Sequence, residues 1–198
     1  MLARVIVIAG PSGSGKSRLA ERTGLPVLRL DDFYKDGSDP TLPRITDGAN
    51  AGVADWDDPA SWLIDDAFAA LETLCRDGAG DVPVYDIAHD GRTGWHRLDL
   101  EGASHFIAEG IFAQEIVPRL RDAGLLADAL CVRQHPAVTF WRRLTRDLRE
   151  HRKPPLFLVR RGLVLMRAQR LVVDHAVSLG CRPVSNEQAR AAVAALVT

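Results

Sequence analysis

Gly10-Pro11-Ser12-Gly13-Ser14-Gly15-Lys16-Ser17 stands between the apolar run Val5-Ile6-Val7-Ile8-Ala9 and the short segment Arg18-Leu19-Ala20-Glu21-Arg22-Thr23, which has helical character. The pattern is G-x-x-x-x-G-K-S. Glycines let the backbone pass close to an anion, so its N–H groups can wrap a β-phosphate. Lys16 reaches the β and γ oxygens, and the Ser17 hydroxyl is suited to Mg2+. The Val/Ile run reads as a strand buried on both faces. The loop then empties into a helix N-terminus, whose dipole and unpaired N–H groups favour negative charge. The alternative is a plain Gly/Ser turn, but the elements on either side are those that phosphate binding requires. The candidate nucleotide contacts are therefore Gly10, Ser12, Gly13, Ser14, Gly15, Lys16, Ser17 and Arg18.

The 198 residues fit one domain spanning 1–198, large enough to bury a core without disulfide or metal staples. With 46% hydrophobic and 26% charged residues, the composition is that of a soluble globular chain. Lys and Arg total 25 against 26 Asp and Glu, so no overall charge bias points to nucleic acid or an anionic membrane. Cys75, Cys131 and Cys181 are odd in number and far apart, which argues against a disulfide framework or a zinc site. The six histidines are scattered without metal-ligand spacing, so no transition metal is assigned. No apolar stretch approaches a membrane span and no signal peptide precedes the first strand, so a reducing cytoplasm is the expected compartment.

Strand and helix signals alternate along the chain, the pattern of an α/β fold with a parallel sheet and helices on both faces. Pro26-Val27-Leu28-Arg29-Leu30 reads as a second strand, ending on Asp31-Asp32-Phe33-Tyr34. Lys35 to Asp55 is rich in Gly, Pro, Asp and Asn and reads as a long surface loop. Pro59 is expected to open a helix carrying Trp62, Ile64, Phe68, Leu71 and Cys75 and stopped near Gly78. Asp81 to Tyr85 reads as a short strand and Gly91 to Gly102 as a turn or hairpin. His105 to Glu109 is an apolar run ending in a carboxylate, followed by an amphipathic helix from Ile111 to about Arg121. Ala127 to Val132 is a further strand, and Pro136 starts a helix to about His151. A helix from about Arg160 to Ser178 and a strand at Arg182-Pro183-Val184 follow. Ser185-Asn186-Glu187-Gln188 then forms a capping box for a terminal helix.

Ligands of open parallel sheets bind beyond the carboxyl ends of the strands, where Asp31, Tyr85 and Glu109 are expected, with Asp57 on a loop nearby. Phosphoryl transfer needs a positioned acceptor, charge neutralisation and exclusion of water. Asp31, one step past a strand, suits a base for an acceptor hydroxyl, while Asp32 or Glu109 suits Mg2+ or its water shell; an Asp-Asp pair there could also be a turn or cap. Trp56-Asp57-Asp58-Pro59 could give an aromatic face and a carboxylate to an acceptor, or simply cap the helix at Pro59. Tyr85-Asp86-Ile87-Ala88-His89 is either a substrate-facing segment or a strand end with a solvent-facing His. Between Arg142 and Arg170 lie ten of the Lys/Arg residues, against only Asp147 and Glu150. Arginines on one helical face beside a nucleotide could close over its phosphates, although such runs are commonly solvated. Phe157 is the one aromatic among them, which weighs against nucleic-acid binding.

Together these residues resemble the uridine kinase group of P-loop small-molecule kinases, which also takes in phosphoribulokinase and pantothenate kinase. The likeness runs from about Arg4 to Lys153 through GPSGSGKS, LDDFYKD, DWDDPASW, PVYDIAHD, IAEGIF and RRLTRDLREHRK, in order. The resemblance implies a P-loop NTPase fold with a five-stranded parallel sheet flanked by helices and a helical lid, here about 142–160. It also implies ATP with Mg2+ as cofactors and a nucleoside or other small hydroxylated substrate. By resemblance Asp31 is the base toward an acceptor 5′-hydroxyl, Tyr34 lines the site, Trp56 lies against the base and Asp57 binds ribose. Tyr85 faces the base edge with His89 near it, Glu109 and Ser17 are on the metal side with Asp32, and Arg143 and Arg146 are lid arginines acting with Lys16. The chain departs from the uridine kinases at Ile87, where they carry a second aromatic, in the placing of His89, and in Glu150-His151-Arg152-Lys153, where they read Glu-Arg-Gly-Arg. No likeness is found past Pro154, and homo-oligomerisation is left open.

Overall fold

A computed structural model describes residues 2–48, 51–149 and 155–197; side chains of residues 143, 146–149, 155–162, 164–165 and 167–168 lie outside that description. Along the chain the strands are β1 (Arg4–Ala9), β2 (Val27–Arg29), β3 (Ala79–Asp86), β4 (Gly91–Asp99), β5 (His105–Glu109), β6 (Leu126–Val132) and β7 (Arg182–Val184). The helices are α1 (Lys16–Glu21), α2 (Ile64–Asp77), α3 (Val117–Asp122), α4 (Pro136–Arg149), α5 (Pro155–Ser178) and α6 (Asn186–Val197). Five strands form one parallel sheet in the order β2-β5-β1-β6-β7, as the alternating pattern predicts.

β1 is central, and Val5 through Ala9 are all fully buried. Side chains alternate across a strand, so Val5, Val7 and Ala9 pack in one core with Leu71 and Leu74 of α2 and Leu120 of α3. Ile6 and Ile8 face the opposite core with Leu19 of α1 and Val193 of α6. Both faces are therefore covered, as the uninterrupted apolar run requires. The register sets Ile8 beside Glu109, Arg29 beside Glu109 and Ala9 beside Cys131, which brings three strand ends level with the start of the glycine loop.

The predicted strand over 81–85 does not enter the parallel sheet. It belongs to β3, which pairs antiparallel with β4 in a separate two-stranded ribbon. The intervening turn, 87–90, is far too short for a crossover, so the strands must run antiparallel. The helix expected from Pro59 is instead a 3-10 turn over Pro59–Ser61, capped by the Asp58 carboxylate on the Ala60 N–H, with α2 starting only at Ile64. Trp62 falls between the two; its indole N–H donates to the Leu30 carbonyl at 2.7 Å and its backbone bridges Tyr34.

The expected helix after Ile111 is likewise divided into a 3-10 turn over Ala113–Ile116 and α3, where Pro118 sits in the first turn. Proline has no N–H to continue an existing ladder but fits a new first turn. The helix expected from Arg160 begins at Pro155 for the same reason. The expected lid, 142–160, spans the end of α4, residues 150–154, which are outside the described residues, and the start of α5. Among the described residues no helix is long and apolar enough to cross a membrane.

Candidate active site

The glycine loop turns sharply off β1. Gly10 has φ of +141°, and a Cβ there would lie 2.4 Å from the Val132 carbonyl of the neighbouring strand, so only glycine fits. Gly15, also left-handed, caps α1, and Lys16 is its first residue. Ser14 and Lys16 are buried, whereas Ser17 and Arg18 are exposed and Ser12 and Gly13 half-buried. A lysine buried at a helix N-terminus is arranged for an anion rather than for solvent.

Glu109 ends β5 one strand away and is 3% exposed. The Ser17 hydroxyl donates to its Oε2 at 3.1 Å. Burial pushes the Glu109 carboxyl above the usual range; nearby Lys16 opposes this, Asp31 adds to it, and the Ser17 hydrogen bond opposes it again. A desolvated carboxylate gains most from a cation, and the Ser17 and Glu109 oxygens are hard donors of the kind that could hold Mg2+. Among the described residues no three His, Cys, Asp or Glu side chains converge as a protein-only metal cage.

Asp31 lies in a 3-10 turn, Leu30–Phe33, directly after β2. Its Oδ1 accepts the Ile111 N–H at 2.8 Å, and a Cβ on Gly110 would come within 2.8 Å of the same oxygen. The carboxylate is therefore docked on the chain immediately after Glu109, and the Gly110 close approach is what lets it in. Asp32 goes elsewhere. Its buried carboxyl faces Arg29 at 3.8 Å and the Tyr85 backbone, and burial raises its pKa, offset chiefly by Arg29. Neither Lys16 nor Glu109 is among the groups acting on it. The pair of adjacent aspartates is thus split: the Asp31 charge acts on Glu109, as does Lys16, whereas Asp32 faces Arg29 and the Tyr85 backbone of the β3–β4 ribbon.

The aromatic residues do come together. Tyr34 has ring centroids 5.8 Å from Trp56, 5.9 Å from Tyr85 and 5.9 Å from Phe112, and Trp56 lies 6.4 Å from Tyr85. The Tyr34 hydroxyl donates to the Trp56 carbonyl at 3.2 Å and that of Tyr85 to the Lys35 carbonyl at 3.4 Å. Burial, then Asp90 and Asp36, push the Tyr85 phenol up to about 12. Asp57 is exposed beside this cluster, with its N–H donating to Asp55. His89 does not join it: the ring is exposed at the ribbon's turn, with Nδ1 2.6 Å from Asp86 Oδ2.

Arg143 and Arg146 lie on α4, with side chains outside the described residues. Arg142, read only as part of a basic face, has Nη1 3.4 Å from the position a Gly15 Cβ would take, against the phosphate loop itself. Phe112, Gly110 and Asn186 are further residues of the site that the sequence reading did not single out. Gly110 directly follows Glu109 and Phe112 lies three residues after it, and that nearness was the available signal; Asn186 lies 172 residues from the Ser14 carbonyl it contacts, and no local pattern could have placed it there.

A phosphate loop off the central strand of a five-stranded parallel sheet, with an acidic residue ending the next strand, defines the P-loop α/β kinase fold. The model of the phosphoribulokinase/uridine kinase family matches residues 5–153, and the chain belongs to that family. It is 34% identical to uridine kinase of Schizosaccharomyces pombe over 154 residues, 73% of this chain and 32% of that protein. It is 32% identical over 114 residues to inorganic pyrophosphatase TTM2 of Arabidopsis thaliana, 55% of this chain and 15% of that protein. The chain thus spans less than a third of the length of these two relatives. It is also 29% identical to uridine kinase of Lactococcus lactis, covering 74% of this chain and 69% of that one. In fold it is similar to a candidate fructose transport system kinase from Silicibacter sp. TM1040, with a TM-score of 0.62, 18% identity and coverage of 93% of this chain and 88% of that one. The YGR205w protein follows at a TM-score of 0.54 and 16% identity, over 94% and 87% of the two chains.

Proposed function

We propose that the protein is an ATP- and Mg2+-dependent kinase that phosphorylates a hydroxyl of a small acceptor, with the 5′-hydroxyl of uridine or cytidine as the leading choice. The observation that carries this is the docking of Asp31 on Ile111, beside Glu109 and its Ser17 partner. In this reading the loop amides and Lys16 hold the β- and γ-phosphates, and Ser17 and Glu109 hold Mg2+, which when bound neutralises charge on the phosphate oxygens. The Ile111 N–H fixes one Asp31 oxygen; the other accepts the acceptor's proton as the new O–P bond forms and the β–γ bridge breaks toward ADP. Tyr34, Trp56 and Tyr85 offer flat apolar faces to a pyrimidine ring, and the family relationship supports a nucleoside.

A coupled ADP-release assay across uridine, cytidine, sugars, sugar phosphates and a pantothenate-like alcohol tests this. Turnover confined to the nucleosides is the expected result. Turnover with none of them but with another alcohol replaces the acceptor and keeps the kinase, and ATP binding with no acceptor-dependent ADP release makes the chain a non-catalytic nucleotide-binding module.

A further inference from the structure

The segment beyond residue 154, outside the family match, reaches back to the phosphate loop. β7 pairs with β6 through Cys131–Pro183 and Val132–Val184, and the Arg133 N–H donates to the Val184 carbonyl at 2.9 Å. This sets the connection from β7 into α6 at the carboxyl edge of the sheet, next to the Val132 carbonyl on which Gly10 turns. The start of α6 is then locked by a reciprocal box: the Ser185 N–H donates to Gln188 Oε1 at 2.9 Å and the Gln188 N–H to Ser185 Oγ at 3.2 Å. From this fixed point the Asn186 amide donates from Nδ2 to the Ser14 carbonyl at 3.1 Å, and its Oδ1 lies 3.4 Å from the position a Gly15 Cβ would take, the same distance as Arg142 Nη1.

We propose that Asn186 is a positioning residue for the phosphate loop, so that the C-terminal helix forms part of the nucleotide site. The Ser14 carbonyl and the Gly15 N–H belong to one trans peptide unit and point in opposite directions. Holding the carbonyl against α6 therefore sends the Gly15 N–H the other way and fixes the peptide plane that leads into Lys16. An unanchored plane can rotate, and donors that rotate must be ordered again each time an anion binds. Asn186 supplies the order in advance without touching the phosphates. The inference rests on the loop's binding ATP, but not on which alcohol is phosphorylated.

The test measures ATP and ADP affinity directly on the full chain, beside steady-state kinetics. N186A is expected to weaken nucleotide binding roughly 3- to 10-fold, the worth of one hydrogen bond to a part-buried carbonyl, with acceptor KM unchanged. N186D keeps the shape but sets an acceptor against an acceptor, so it is expected to bind nucleotide more weakly than N186A, while N186Q, which keeps the donor, recovers part of the loss. Q188A removes one of the two box bonds but keeps the residue-188 N–H on Ser185 Oγ, and with it the place of Asn186, so it is expected to lower the melting temperature while leaving nucleotide affinity within about twofold. Wild-type affinity in N186A, or N186D equal to wild type, overturns the proposal. So does a loss in Q188A as large as in N186A, which would make helix stability the cause. Weakened ATP binding in N186A in a protein that turns over no acceptor sustains this inference while removing the kinase reading.

Discussion

The two ends of the candidate site are built differently. The phosphate end stands on the sheet: Glu109 is in register with Ile8 and Arg29, and the loop leaves directly from Ala9. The acceptor end stands on a 3-10 turn, a long loop and a ribbon outside the sheet, which bring Tyr34, Trp56 and Tyr85 together through ring contacts and two hydrogen bonds to backbone carbonyls. Changing the first means moving a buried strand, whereas the second is altered by surface insertions and ring substitutions at little cost to the core.

Substitutions at the two ends should therefore fail in different ways. Lys16→Ala is expected to give the largest effect, a loss of at least about 10²-fold in kcat together with weaker ATP binding, because a preorganised charge is removed from the transferring group. Asp31→Asn is expected to lower kcat by roughly 10²- to 10⁴-fold while ATP affinity is retained. Single-turnover kinetics beside nucleotide titration separate the two. Near-full activity in D31N would remove the base and with it the division between the ends.

Glu109 sharpens the phosphate side through pH. Its folded-state carboxyl titrates above the normal range because burial penalises the charge. A raised pKa means that the folded chain binds this proton more readily than the unfolded chain. The contribution to stability is therefore present in acid and is lost as pH rises through the folded-state value. Charging the buried Glu109 is therefore a strain on the fold. E109Q is expected to melt no lower than wild type at pH 7, with any gain vanishing in acid, and to raise the Mg2+ requirement on the order of 10- to 100-fold. A lower melting temperature at pH 7 would show that the Lys16 and Ser17 contacts outweigh burial.

At the acceptor end, Trp56→Ala is expected to raise the acceptor KM by about 10-fold, with the KM for ATP unchanged. Equal changes in both KM values would mean that the ring supports the whole cleft.

This difference between the ends also decided what could be read in advance. The loop motif, the buried run before it and Glu109 at the end of an apolar run are local signals tied to the strand period, and they placed the sheet and the phosphate end. The ribbon was misplaced because five apolar and polar residues at Asp81–Tyr85 look alike in a sheet or a hairpin until the partner strand is known. Asp31 and Asp32 are adjacent and chemically identical; only the space opened by Gly110 and the charge of Arg29 separate their fates. Asn186 depended on β7 completing the sheet, a long-range pairing that no local pattern records.

The smallest effect is expected at His89, and the reason is geometric. Its ring is 72% exposed and its bonded partner is Asp86, three residues back in the same turn. That carboxylate is already held low by the Ala88 N–H, the larger influence, with His89 second. Removing the imidazole therefore leaves the turn its main backbone contact and leaves the Tyr34 cluster untouched. An exposed polar contact of this kind contributes little, so H89A is expected to keep kcat and the acceptor KM within about twofold. A selective rise in acceptor KM in H89A would show that the ribbon's turn folds onto the bound acceptor, and would move the boundary of the aromatic end outward by one full turn of chain.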